Sequence, residues 1–245
     1  REKTIPKLDS EWEQTGYKQT KIDQDEFLRI TDGILYGENP RDGFEKNGVF
    51  YHPDLKFKFP VPSGFALYNE PSAVILVNEA QDAVVQFTID QENTTPKSSI
   101  EAILSQESIS TISQEQITVS GYSGYKAEAN VATEDGGNLH LDISALNYNG
   151  NVYQFLSYTT ETQFNEYKSK FSSVYNGFGS VTDQSILNIK PVSLKLIKAS
   201  KTAKFQELLP SSLPMNIEAL DIAIINQVQL DQVINKGDWI KIPVQ

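Results

Sequence analysis

The chain has 245 residues, 39% of them apolar and 22% charged, with no Cys, two His and a formal net charge of −11. This composition is globular, and its acidity excludes a general nucleic-acid surface, which needs a basic stripe. Without Cys there are no disulfides, thiolate nucleophiles or Cys-ligated zinc, and two isolated His are too few for most metal hydrolases, so no metal or cofactor is expected in this chain.

Charge divides the chain. Residues 1–44 carry net −3, residues 45–184 net −10 and residues 185–245 net +2. The sign change near Leu187, with Pro191 beside it, predicts an N-terminal arm with a short helix (1–44), a central domain (45–184) and a C-terminal module (187–245). No apolar run reaches the length of a membrane span. The chain opens at Arg1 rather than Met. We therefore expect a fragment or processed chain, and the missing signal peptide says nothing of localisation.

In the arm, Trp12 and Tyr17 need something to pack on. Asp23 and Glu26 have capping-box spacing ahead of Phe27 and Ile30, and Asp32-Gly33 ends that short helix. In the central domain, Leu55-Lys-Phe-Lys-Phe59 alternates with period two and predicts a strand beginning after Pro53. Further strands are expected over 65–68, 73–77 and 83–89. Thr95-Pro96 opens a helix whose apolar face is Ile100, Ile103 and Leu104. Extended segments follow over 117–119, 125–132, 139–148 and 152–158. Asn149-Gly150 between the last two signals a tight hairpin, because both residues tolerate positive φ. A final helix is expected from Thr160, capped by Gln163, with Phe164, Tyr167, Phe171, Val174 and Phe178 as its buried stripe. This order predicts an α+β fold, an antiparallel sheet covered by helices.

In the C-terminal module, Val192, Leu194 and Leu196 alternate as a strand. A short helix at Phe205–Leu209 ends at Pro210, and Asn216 caps a second helix carrying Leu220, Ile224 and Ile225. Residues 228–235 read as a loop, and Trp239-Ile-Lys-Ile-Pro243 as a closing strand that pairs with the first. The module is thus a small βααβ unit.

Two His–Asp pairs are the weak candidates for chemistry. His52 stands beside Asp54 as a base and its orienter, or as a strand cap. In Leu139-His-Leu-Asp-Ile143, alternation puts His140 and Asp142 on one sheet face, as a catalytic pair or as a polar face that is solvated or helix-covered. Ser123, in Ser120-Gly-Tyr-Ser-Gly124, lacks the spacing and the strand–turn–helix context of a nucleophile elbow. Glu79 with Asp82, and Glu134 with Asp135, read as solvated loops, since no calcium-loop pattern surrounds them. Tyr122, Tyr125, Tyr148, Tyr153 and Tyr158 read as groove lining or as cross-strand pairs.

Several strings carry a resemblance. They are Asp32-Gly-Ile-Leu-Tyr-Gly-Glu-Asn-Pro-Arg-Asp-Gly-Phe44, Val49-Phe-Tyr-His-Pro-Asp-Leu-Lys-Phe-Lys-Phe59, Pro62-Ser-Gly-Phe65, Asn69-Glu-Pro-Ser-Ala-Val74 and Ala83-Val-Val-Gln-Phe87. Together they resemble the region downstream of the catalytic domain in bacterial, envelope-associated zinc metalloproteases of the HExxH, gluzincin class. The resemblance implies a periplasmic or envelope location, an upstream protease domain as partner, protein substrates, and zinc held only in that upstream domain. The chain contains no His-Glu pair, so no catalytic residue carries over.

The last sixty or so residues resemble a divergent LysM module, a βααβ unit that often binds N-acetylglucosamine polymers. Lys236-Gly-Asp-Trp-Ile-Lys-Ile-Pro243 matches its closing pattern. Thr202, Asn226 and Trp239 fall where a ligand groove would lie. The opening Gly-Asp-Thr is here Ser200-Lys201-Thr202, which implies weak or no glycan binding. The function expected is a non-catalytic accessory region. The alternatives are a hydrolase using His140 and Asp142, or a structural region without a ligand.

Overall fold

The computed structural model describes residues 28–133, 136–214 and 217–245. The expected features at Trp12, Tyr17, Asp23, Glu26, Phe27, Glu134, Asp135 and Asn216 lie outside the described residues. The described chain forms two units, 39–190, and 191–245 together with 28–38.

In the first unit a 3-10 turn leads into strands β1 (Phe44–Lys46), β2 (Val49–His52), β3 (Phe57–Pro60), β4 (Phe65–Glu70), β5 (Ala73–Asn78) and β6 (Ala83–Asp90). Helix α1 (Pro96–Leu104) is followed by β7 (Ile109–Val119), β8 (Tyr122–Ala132), β9 (Asn138–Tyr148) and β10 (Asn151–Thr160). Helix α2 (Phe164–Asn176), β11 (Gly179–Ser180) and the short α3 (Gln184–Leu187) complete it.

Local chemistry accounts for the boundaries. Thr95 caps α1, accepting the Ser98 N–H at 3.1 Å with Pro96 at the first helical position, as the sequence predicts. Asn149 and Gly150 take φ of 51° and 83° in the β9–β10 turn. The strand expected after Pro53 is β3, which starts two residues later than Leu55 and forms a hairpin with a preceding strand, β2, that was not expected. Lys56, at φ 60°, donates its N–H to His52 O at 2.7 Å, so β2 ends at His52 and β3 starts only at Phe57. The final helix starts at Phe164 rather than Thr160. Thr160 remains in β10, where its Oγ1 donates to Gln163 Oε1 at 2.6 Å.

Seven strands form one antiparallel sheet in the order β4-β5-β6-β10-β9-β8-β7, and a second sheet runs β1-β2-β3-β11. One face of the large sheet is covered by the small sheet and α2. There Phe50, Phe57 and Phe59 pack with Phe87, Tyr153, Phe155, Phe171 and Phe178. The ring of Phe57 meets those of Phe50, Phe59, Phe87, Tyr153 and Phe178 at 5.1–6.1 Å, within the range of favourable aromatic pairs. A Cβ on Gly177, just after α2, would collide with the Pro60 ring, so glycine lets α2 close onto β3. The opposite face is covered by α1, whose Ile100 sits among Ala127, Ala129, Leu141, Ile143, Ala145 and Val152. Small alanines on β8 and β9 let that helix approach.

The second unit contains β12 (Ser193–Lys198), β13 (Ala203–Lys204), a 3-10 turn at Phe205–Leu208, α4 (Ala219–Asn226), β14 (Val233–Ile234) and β15 (Trp239–Val244). Strands β12 and β15 pair antiparallel, as do β13 and β14, the latter inside the stretch expected as loop. The expected βααβ order is therefore not met: the first expected helix is only a 3-10 turn, ended before Pro210, and a second strand pair is added. Phe205, Ile222, Ala223, Ile234, Ile240 and Ile242 form the core. Residues 28–38 belong to this unit. Gly33 donates to Leu194 O at 2.7 Å, Tyr36 to Val192 O at 2.8 Å, and Asp32 Oδ1 accepts the Leu196 N–H at 2.7 Å. The fold class is mixed α+β, an antiparallel sheet flanked by helices.

Candidate functional site

Strand β9 is buried on both faces from His140 to Leu146. Its alternation sends Leu141, Ile143 and Ala145 under α1, and His140, Asp142 and Ser144 under the α2 face. The register pairs Asn130 with His140, Glu128 with Asp142 and Lys126 with Ser144. A row of polar side chains therefore crosses β8 and β9 beside the aromatic core.

Helix α2 closes over this row. Phe164 stacks on His140 with ring centroids 3.5 Å apart and planes 26° apart. One turn on, Lys168 Nζ donates to Glu128 Oε1 at 2.9 Å and lies over the Phe164 ring. His140 Nε2 is 3.5 Å from Glu128 Oε2, too long for a well-formed hydrogen bond. His140 Nε2, Asn130 Oδ1 and Ser144 Oγ are buried without a hydrogen-bond partner.

The electrostatics follow from burial. His140 is 7% exposed and Asp142 4%. Burial lowers the His140 pKa, opposed by the Glu128 charge. Burial and then the facing Glu128 push Asp142 up to about 6. Burial works to raise Glu128, but the hydrogen bond and charge of Lys168, joined by His140, leave it lowered. Tyr175, on α2, is raised by burial and by Asp142. At neutral pH the patch thus holds a neutral imidazole and an ionised Glu128, with Asp142 close to its titration range.

The other pair is arranged differently. His52 Nδ1 accepts the Leu55 N–H at 3.2 Å, capping the β2–β3 turn, and its ring packs on Phe57. Burial lowers its pKa. Asp54 is paired with Arg41, whose guanidinium also donates to Leu187 O and Ile189 O at 3.1 and 3.3 Å. Asp82 is tied to Asn78, Gln163 and Tyr167, and the hydrogen bond from Asn78, then that from Gln163, lower its pKa. Tyr148 and Tyr153 lie in the core, so they do not line a groove.

In the second unit, Thr202 Oγ1 accepts the Lys236 N–H at 3.0 Å. Asn226 Nδ2 donates to Ile222 O and Lys241 O, and its Oδ1 accepts the Lys241 N–H, all at 2.8 Å. Trp239 is half-buried with Lys198 Nζ 4.8 Å from its ring centroid. Two of these three residues therefore have polar atoms engaged with backbone.

Nothing in the sequence around His140 marks Glu128, Phe164 or Lys168 as its partners. The four-residue spacing of Phe164 and Lys168 puts both on one helix face, and that was the only local signal. A shallow cleft of about 490 Å³ beside α1, bordered by Thr88, Asp90, Asn93, Ser99, Gln106 and Gln154, was also not anticipated. Its Asp90 accepts the N–H groups of Glu92 and Asn93, and Gln154 donates to Ser99. Among the described residues, no group of three or more His, Asp or Glu could hold a metal ion, and no helix is long and apolar enough to cross a membrane.

No protein-family model matches the chain, and no curated protein matches it in sequence. Solved structures are similar in part. Cyanobacterial PsbP (CyanoP) from Synechocystis is 18% identical, covering 54% of this chain and 91% of its own, with a TM-score of 0.42. The Ran-binding protein Mog1p of Saccharomyces cerevisiae is 9% identical over 62% of this chain and 99% of its own, with a TM-score of 0.39. LpqN of Mycobacterium tuberculosis, involved in cell envelope biogenesis, is 10% identical over 66% and 99%, with a TM-score of 0.38. At these scores and identities none of them names a family for this chain.

Proposed function

We propose that this chain is a non-catalytic accessory region of an envelope-associated zinc metalloprotease, positioning substrate or partner for an upstream domain that holds the zinc. The observation that carries this reading is the closure of the His140–Asp142 pair beneath Phe164. A general base must come within hydrogen-bond reach of its substrate, and His140 Nε2 lies buried between α2 and the sheet. The strings around Tyr36–Phe44 and Phe50–Phe59, which resemble that family's accessory region, support the reading. We read the second unit as a divergent LysM-like module on the closing string Lys236–Pro243, with weak or no glycan binding because Thr202 and Asn226 already serve backbone groups.

The test compares the parent protease with and without residues 1–245. Loss of the region is expected to raise KM for a protein substrate such as casein while zinc content is retained. Hydrolysis of casein by this chain alone, abolished by His140→Gln in a variant that still folds, would overturn the reading.

A further inference from the structure

The two edges of the seven-stranded sheet are treated differently. At β4, Asn69 Nδ2 reaches across to Asp42 O and Gly43 O, both at 3.2 Å, and closes part of that edge. At β7 one side is paired with β8, and on the other, among the described residues, no backbone hydrogen bond from another element reaches the strand beyond its first residue, Ile109. Ser110 to Gln116 are all exposed, and Ile112 is 54% exposed. An open edge of 11 residues is a template for another strand.

Edges are commonly protected by Lys, by Pro or by a bulge. Ile109–Val119 contains no Lys, Arg or Pro. Its register shift lies between Thr111 and Ser113, near one end, and leaves Ser113–Val119 regularly paired with β8. Its one carboxylate, Glu115, is paired with Lys126 at 3.0 Å, so the edge is locally neutral.

We infer that the free edge of β7 pairs antiparallel with β7 of a second copy, about a two-fold axis at Gln116. The register follows from symmetry and charge. A two-fold axis normal to the sheet keeps equivalent faces on the same side, so each residue must oppose one of the same face. An axis at Glu115 would set two carboxylates against each other, and an axis at Gln114 would run the bulge into the pairing. The axis at Gln116 sets Gln116 against its own copy, Glu115 against Ile117, Gln114 against Thr118 and Ser113 against Val119. No pair has like charges, and the whole bulge-free stretch is used. Each chain carries net −11, so the dimer is weak at low salt and tightens as salt screens the repulsion.

Sedimentation of the full chain over roughly 5–500 μM tests this, because a reversible dimer responds to concentration by mass action. Mass is expected to rise from 27.4 kDa toward twice that value, and to rise further at higher salt. Gln116→Lys, which sets two ammonium groups together on the axis, is expected to leave only monomer. Gln114→Lys, opposite Thr118, is expected to leave the dimer. Because the chain has no Cys, Gln116→Cys gives a clean cross-linking probe and is expected to cross-link at least about tenfold faster than Gln114→Cys. A chain that stays monomeric throughout, a dimer that survives Gln116→Lys, or equal cross-linking at the two positions would each overturn the inference.

Discussion

Phe164 lies flat on His140, with ring centroids 3.5 Å apart, and this contact seals the polar end of the sheet beneath α2. The imidazole is held neutral by being covered. Phe164→Ala removes a buried aromatic, so a loss of about 3 kcal/mol is expected in urea unfolding, at the low end for such truncations. The same change should raise the His140 pKa toward the ordinary value of about 6.5, read from its ring-proton shifts by NMR. A purely structural role for Phe164 would lower stability without moving that pKa.

Asp142 responds to pH in the opposite sense to His140. Its folded pKa, about 6, lies above the ordinary Asp value, so the folded state binds more protons than the unfolded one between the two. Its contribution is therefore fully present below about pH 4 and is lost as pH rises through about 6. Asp142→Asn is neutral at every pH and offers an amide donor to the facing Glu128. It should stabilise the chain at pH 8 by roughly 2–3 kcal/mol and have little effect near pH 4.

For His140 the folded pKa is lowered, so stability is present above about 6.5 and declines as pH falls below it. Between pH 7 and 5 the two groups therefore act on wild-type stability in opposite directions. In Asp142→Asn the His140 term stands alone, and unfolding at pH 5 against pH 7 should show a clear acid loss. An acid loss in that variant no larger than in the wild type would contradict the assignment.

Phe57 is the hub of the aromatic core between the two sheets, in contact with five Phe and Tyr rings and with the His52 imidazole. Phe57→Ala should cost about 3–5 kcal/mol, and Phe57→Leu markedly less because it keeps most of the buried volume. Thermal unfolding of the two variants checks the order.

Features fixed by neighbouring residues are legible in the sequence. Thr95-Pro96 and Asn149-Gly150 set backbone geometry by themselves, and both features stand where the sequence places them. The alternation of His140 and Asp142 against Leu141 and Ile143 was legible for the same reason. What covers those faces was not, because Phe164 and Lys168 arrive from another element. The full length of β7 was hidden, since its Ser, Thr and Gln residues are exposed and carry no apolar alternation. The start of β3 at Phe57 rather than Leu55 depends on a positive φ at Lys56, a residue with no turn signature. The pairing of Asp32–Tyr36 with β12 joins segments far apart in sequence, beyond the reach of periodicity.

Asn226 offers the last test, in the second unit. Its amide ties the end of α4 to β15, donating to Ile222 O and Lys241 O and accepting from the Lys241 N–H. Asn226→Asp keeps the size and the accepting oxygen but replaces the donor with a carboxylate oxygen facing two carbonyls. Those two bonds are lost and the charge sits against partial negative charges, so a loss of roughly 2–4 kcal/mol is expected at pH 7. The introduced carboxyl has a folded pKa raised above its unfolded value, because only its protonated form can donate. Its contribution is therefore present below the unfolded value and lost as pH rises through the folded one. Part of the stability should return near pH 4, when one of the two bonds is remade. Asn226→Ala removes the side-chain donor and acceptor at every pH and should show no such recovery. If Asn226→Asp unfolds as easily at pH 4 as at pH 7, relative to wild type at each pH, the amide is not the tie between α4 and β15.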